Sequence, residues 1–276
     1  MIRRAVIFLT TVIALLGAGC ARPTPTPTAT PLPTATPTAT VTPTPLPPTP
    51  IPTPTPVPPT PTPTPVVDPD TVPLFREKEV QVPPDWPAFI SRDYGFRILY
   101  PPDWLVVDLT SDAWEKALDA LPDKMKDTLL EQAKSLKQSD TAALLVAPTP
   151  DKEGEDITFV SNLNILRVSL PPGAPQDTVL QGIIQSLKAI PGLRLQSMSR
   201  GQVNGYPAIA VLYAYPIQDE EGHVFHVIGW QVYLRPKDDT LFVFTFTSLA
   251  DTFPDRIRDF ARIAASFHML EDTAQP

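Results

Sequence analysis

Three histidines and two acidic stretches are the side chains that could bind a metal or move a proton. The histidines are His223, His226 and His268, and the first two lie three residues apart at the start of a predicted strand. Because side chains alternate between the two faces of a strand, His223 and His226 should point in opposite directions, unless the loop at Glu220 and Glu221 curls back. We therefore do not expect these histidines to share a metal ion.

The acidic stretches Asp151–Asp156 and Asp219–Glu221 could attract calcium. Neither has the Asp-x-Asp-x-Asp-Gly order of an EF-hand loop, so a solvated loop is the better interpretation of both. The sequence also contains no His-Glu-x-x-His motif, no Gly-x-Ser-x-Gly motif and no phosphate-binding loop. We predict no catalytic, cofactor-binding or metal-binding residues, and we do not expect an enzyme.

Cys20, the only cysteine, is the one residue for which the sequence predicts a covalent role. Before it, Arg3 and Arg4 lead into the apolar run Ala5–Gly19, whose 15 residues are typical of a signal peptide and fall short of the about 20 that span a bilayer. The letters LLGAGC, ending at Cys20, resemble the lipobox of bacterial lipoproteins, with glycine where leucine is usual. We predict that residues 1–19 are a lipoprotein signal peptide and that Cys20 is lipidated. A cleaved secretory signal and an uncleaved short anchor are the alternatives.

The cysteine count favours lipidation. An exported protein meets oxidising conditions in which structural cysteines usually pair, and a lone cysteine has no partner within its own chain. One acyl chain binds a membrane only marginally, whereas the lipoprotein pathway implied by the lipobox resemblance attaches several. We therefore expect a lipid-anchored protein on the extracytoplasmic face of the cell membrane.

A proline- and threonine-rich segment follows the cysteine. Between Pro23 and Pro65 there are 19 prolines and 16 threonines in 43 residues, with no charged, aromatic or glycine residue. Such a sequence cannot form a core or a strand ladder, and it favours an extended polyproline II spacer with an upper length on the order of 130 Å. We predict that residues 20–70 are a disordered linker, whose threonines could carry sugars.

Residues 71–276 have the composition of one globular domain with a sizeable core. The formal net charge of the chain is -8, which argues against nucleic acid as a partner because nucleic-acid binding needs a basic face.

Periodicity predicts an antiparallel sheet interrupted by helices, an α+β fold with helices on both faces of the sheet. The sequence Val203–Tyr206 contains Asn-Gly, the strongest short-range signal for a hairpin turn. Helices are predicted over Ser111–Gln138 with a break at Pro122, over Gln176–Ala189 and over Pro254–Ser266. Strands are predicted within Phe89–Tyr100, Trp104–Leu109, Ala142–Ala147, Ile157–Leu170, Leu193–Arg200, Ala208–Tyr215, Val224–Leu234 and Thr240–Ser248.

Two segments resemble PsbP-like domains. Tyr94–Trp104 reads YGFRILYPPDW and is similar to the start of such domains. Gly205–Ala208, the strand Phe242–Phe246 and a helix ending in Ser266-Phe267 are similar to their end. The resemblance covers residues 88–270 and implies an α/β/α sandwich of the Mog1/PsbP/DcrB type, without catalytic residues. The helical pair over Ser111–Gln138 is longer than the usual connection in that family.

Two hypotheses for function follow. The first is a membrane-tethered, non-catalytic domain that binds a protein partner at the cell surface, on the rim of its sheet or on the helical pair. The second is an extracytoplasmic enzyme, or a protein that binds a metal or small ligand, with an unrecognised site. An apolar groove beside Trp114 and Leu118 would favour the first hypothesis, and a deep pocket of converging acids or histidines would favour the second. The aromatic residues Tyr94, Phe96, Tyr100 and Trp104 are expected to pack in the core.

Overall fold

The structure is a computed structural model that describes residues 80–153, 158–218 and 224–270, with only the backbone at positions 124, 152, 153 and 158. The predicted signal peptide, Cys20, the linker, His223 and the stretch Asp219–Glu221 lie outside the described residues.

The described part folds into short N-terminal strands, a helical pair and a long meander. Its strands are β1 (Ala88–Ser91), β2 (Phe96–Leu99), β3 (Leu105–Asp108), β4 (Thr141–Val146), β5 (Lys152–Glu153), β6 (Thr158–Phe159), β7 (Asn162–Ser169), β8 (Arg194–Val203), β9 (Tyr206–Gln218), β10 (Val224–Lys237), β11 (Thr240–Leu249) and β12 (His268–Met269). Its helices are α1 (Trp114–Ala117), extended by a 3-10 turn over Leu118–Ala120, α2 (Asp123–Lys137), α3 (Gln176–Lys188) and α4 (Phe253–Ala265). The predicted break at Pro122 is confirmed, since this proline directly precedes α2.

Seven strands form the main sheet in the order β3-β4-β7-β11-β10-β9-β8. Every neighbouring pair in it is antiparallel. A second small sheet has the order β1-β2-β12, and β5 pairs with β6. The two shortest pairings, β12 with β2 and β5 with β6, have two residue pairs each and were not predicted from the sequence, because such short strands show no periodicity.

Helices cover both faces of the main sheet, which confirms the predicted α+β fold. One face packs Trp230, Phe244 and Phe246 into a core shared with α2 and α4. The other face packs residues such as Val211 and Val243 against α3. Each helix buries one apolar stripe and exposes the opposite side, which explains the periodicity of its sequence.

The predicted core aromatics divide into two groups. Phe96 and Trp104 are buried, as predicted. Tyr94 and Tyr100 are only half-buried. The Tyr94 hydroxyl donates a hydrogen bond to Asp140 Oδ1 at 2.6 Å, and burial together with this carboxylate raises the pKa of Tyr94.

The Asn-Gly turn forms between β8 and β9 as predicted. Asn204 and Gly205 adopt φ angles of 50° and 79°, which these residue types tolerate. The Asn204 amide also donates hydrogen bonds to the carbonyl oxygens of Ala265 at 2.6 Å and Phe267 at 2.9 Å. The turn thereby holds the end of α4, whose last carbonyls have no partner within the helix.

Candidate functional site

The described histidines lie on separate elements. His226 lies on β10, where its register partner is Pro216 of β9. His268 lies on β12, with its ring Nε2 3.5 Å from Asn204 Nδ2. Among the residues that the structure describes, no three His, Cys, Asp or Glu side chains come together as a metal-binding group.

Asp151 departs from the solvated loop that the sequence predicts. Its Oδ1 accepts hydrogen bonds from the Ser161 hydroxyl at 2.7 Å and from the Ser161 backbone N–H at 3.3 Å. Its Oδ2 accepts from the Ser248 hydroxyl at 3.1 Å and from the Leu249 N–H at 3.0 Å. The carboxylate therefore joins the segment before β5 to β7 and to the end of β11.

This polar cluster does not have the properties of a catalytic site. Ser161 and Ser248 are fully buried, so a substrate has no access to their hydroxyl groups. Their oxygens lie 2.9 Å apart, and Ser248 Oγ lies 3.0 Å from Thr252 Oγ1 at the start of α4. Because every one of these groups has a hydrogen-bond partner within the cluster, its role is structural.

A second group of buried polar side chains lies on the face of the sheet that α3 covers. Tyr233 donates to Gln231 Oε1 at 2.5 Å, and Gln231 Nε2 donates to Thr245 Oγ1 at 3.2 Å. Tyr213 is buried over its register partner Gly229, and its hydroxyl has no hydrogen-bond partner in the structure. Burial raises the pKa of both Tyr213 and Tyr233 above the ordinary value of a phenol.

Trp114 and Leu118 of the helical pair do not line an exposed apolar groove, the feature that would have favoured binding there. Trp114 and Leu118 are buried rather than exposed. The apolar side of α2, with Met125 and Leu129, also packs into the core. Lys137 Nζ lies 5.9 Å from the centre of the Trp114 ring and donates to the Leu109 carbonyl oxygen at 3.1 Å. The apolar residues of the pair thus serve the fold.

A depression of 460 Å³ lies beside the start of α3. Arg235, one of the two cations that line it, donates hydrogen bonds to the carbonyl oxygens of Ala174 at 2.8 Å and Asp238 at 2.6 Å. These bonds commit the guanidinium to joining two backbone segments. The lining residues are Gln176, Pro207, Arg235, Pro236, Lys237 and Asp238.

Strand β8, at the rim of the main sheet, is the most exposed long element of the described chain. β8 has ten residues, pairs with β9 on one side and, within the described residues, has no strand on the other side. Leu195 is 46% exposed and Met198 is 38% exposed. The opposite rim, β3, has four residues and exposes no large apolar side chain.

A register shift in β8 places its two exposed apolar side chains on the same side. Leu195 is opposite Tyr213 and Met198 is opposite Val211, with the irregularity between Leu195 and Ser197. Tyr213 and Val211 both belong to the core beneath α3. Leu195 and Met198 therefore extend that apolar face beyond the helix to the rim. In a regular strand, two residues three positions apart would point to opposite faces of the sheet, so the register shift is what brings them to the same face.

The charges of β8 are exclusively basic. Arg194 and Arg200 lie on either side of the two apolar residues, and the strand contains no acidic residue. Arg200 Nη2 lies 2.8 Å from Asp177 Oδ1 of α3, in a pair whose side chains are 53% and 76% exposed. Exposed pairs of this kind contribute little stability, so Arg200 can exchange Asp177 for another carboxylate.

No helix in the described part of the chain combines the length and the apolar character that a membrane span requires.

No family model and no curated sequence matches the chain. Solved structures with a similar backbone include the cyanobacterial PsbP of Synechocystis sp. PCC 6803, with 14% identity, a TM-score of 0.41 and coverage of 66% of this chain and 91% of that one. LpqN of Mycobacterium tuberculosis, involved in cell envelope biogenesis, has 14% identity, a TM-score of 0.41 and coverage of 71% and 94%. The Ran-binding protein Mog1p of Saccharomyces cerevisiae has 14% identity, a TM-score of 0.40 and coverage of 68% and 97%. The structural neighbours thus include PsbP and Mog1 proteins at low identity.

Proposed function

We propose that this chain is a membrane-tethered protein on the extracytoplasmic side of the cell, and that its folded part binds a protein partner without catalysing a reaction. The observation that carries the binding role is the rim strand β8, with its length and its exposed Leu195 and Met198. The tether rests on Cys20 and on the proline- and threonine-rich segment after it.

The composition of β8 supports docking at the rim. An edge strand presents backbone N–H and C=O groups that pair readily with another chain, and proteins usually block such edges with proline, lysine, inward charges, a β-bulge or a short strand. β8 runs over ten residues and contains no proline and no lysine, and its register shift lies near its start, so that Ser197–Val203 continue as regular strand. A strand left open in this way is suited to receive a partner.

Photo-crosslinking from the rim tests the binding role. We expect benzoylphenylalanine at position 198 of the full chain to form a discrete adduct in cells, because Met198 would face the partner. The same group at position 90 is the matched control, since Ile90 is 51% exposed on β1. The adduct should disappear when Leu195→Asp is added. Equal adducts from both positions, or no adduct from position 198, would show that β8 is not the docking surface.

The tether gives a separate prediction for Cys20→Ser. We expect the wild-type chain to incorporate an alkyne-labelled fatty acid and to sediment with membranes, because the acyl chains would be attached to this thiol. The variant should lose the label and move to the supernatant, whereas Ala21→Ser should behave as wild type. A variant that stays in the pellet with residues 1–19 still attached would identify the apolar run as the anchor. An undiminished label would place the lipid elsewhere.

A further inference from the structure

We propose that β8 receives an extended acidic segment of the partner protein, which adds to the main sheet as an eighth strand. This inference rests on the proposed function and specifies the chemistry of the partner. The backbone provides pairing, the apolar side chains provide register, and the arginines provide the preference for acidic residues.

The backbone of β8 defines the length of the partner segment. Ten residues of strand extend over about 33 Å, which suits an added segment of up to ten residues. Hydrogen bonds along the backbone depend little on sequence, so the side chains of β8 must provide any selectivity.

The apolar side chains define which side of the added strand is apolar. Leu195 and Met198 lie on the α3 side of the sheet because of the register shift. Every second residue of an added strand points to that side and can cover them. We therefore expect β-branched or other apolar residues at alternate positions in the middle of the partner segment.

The arginines distinguish an acidic segment from a second copy of this chain. Arg194 and Arg200 lie on opposite faces of the sheet, because their register partners Ala214 and Ile209 belong to the two different cores. In an antiparallel pair of two β8 strands centred on Ser197, each end would hold Arg194 of one copy and Arg200 of the other, and this concentration of like charge disfavours the pair. Other registers still place four arginines in one two-stranded ribbon. Carboxylates near both ends of an incoming segment would instead meet Arg194 and Arg200.

Three fluorescein-labelled decapeptides test the proposal against the purified full chain. The acidic probe alternates valine and threonine and has two acidic residues at each end. Its basic twin has lysines at the ends, and its proline twin has prolines in place of the threonines, which prevents pairing along a ladder. By fluorescence anisotropy we expect the acidic probe to bind about tenfold more tightly than the basic twin, and the proline twin not to bind.

Charge reversal tests the contribution of the arginines. The double variant Arg194→Glu with Arg200→Glu should invert the preference, so that the basic twin binds more tightly. The same reversal at Arg92 and Arg97, which are exposed on the β1–β2 hairpin, is the control and should leave the preference unchanged. Equal binding of the acidic and basic probes, or binding of the proline twin, would overturn the inference.

Two further outcomes separate this inference from the proposed function. A concentration-dependent dimer in sedimentation that Leu195→Asp abolishes would identify a second copy as the occupant and overturn the acidic partner. If no probe binds but the adduct from position 198 forms, the inference fails while the proposed function stands. If the adduct is also absent, docking at β8 fails altogether.

Discussion

Alanine at position 229 is expected to lower the free energy of unfolding by about 3 kcal/mol. Gly229 lies in the middle of β10, where a Cβ atom would overlap Cε2, Cζ and the hydroxyl oxygen of Tyr213. Tyr213 is fully buried and cannot swing into solvent. The ring or the strand must therefore move, and close-packed interiors accommodate such overpacking poorly.

A double-mutant cycle separates this overlap from other effects of alanine. Unfolding of the full chain in urea can be followed by the fluorescence of its four tryptophans. In a Tyr213→Leu background, we expect Gly229→Ala to cost much less than in the wild type, because the two positions are coupled. Additive losses would contradict the proposed overlap. Tyr213→Phe alone should be neutral or stabilising, since it removes a buried hydroxyl that has no partner.

Asp151→Ala is expected to cost about 3 kcal/mol of stability. The substitution removes the acceptor for the Ser161 hydroxyl, the Ser248 hydroxyl and the Leu249 N–H. Both hydroxyl groups are buried, so water does not readily replace the carboxylate.

The matched control for this prediction is Asp177→Ala. Asp177 is also an aspartate that accepts from another side chain, but its side chain is 76% exposed. Its loss should change the free energy of unfolding by less than about 0.5 kcal/mol. Similar losses for the two variants in urea unfolding would mean that the Asp151 cluster contributes no more than a surface ion pair.

Elements with strong local signals could be predicted from the sequence. The Asn204–Gly205 turn follows from residue types that tolerate positive φ, and α3 follows from an apolar stripe that ends at Pro191–Gly192. The predicted helix over Gln176–Ala189 and the observed helix Gln176–Lys188 differ only at the last residue. In these elements, the information that determines the structure lies within a few neighbouring residues.

The binding candidate could be predicted only in part, because its properties depend on distant residues. The sequence identifies a strand near Leu193–Arg200, but strand order decides that it lies at the rim. The register shift that brings Leu195 and Met198 to one side depends on pairing with β9. Asp151 likewise meets Ser248 across nearly a hundred residues of sequence, so composition alone indicated a solvated loop.

The pairing of β2 with β12 has a consequence for the order of folding. Arg97 and His268, register partners in this small sheet, lie near opposite ends of the described chain. Their contact closes a loop of nearly the whole domain, and the entropic cost of closing such a loop must be met before this pairing forms. The small sheet cannot be completed until its last strand, β12, has been synthesised. Until then, the incomplete chain depends on cellular protection against aggregation.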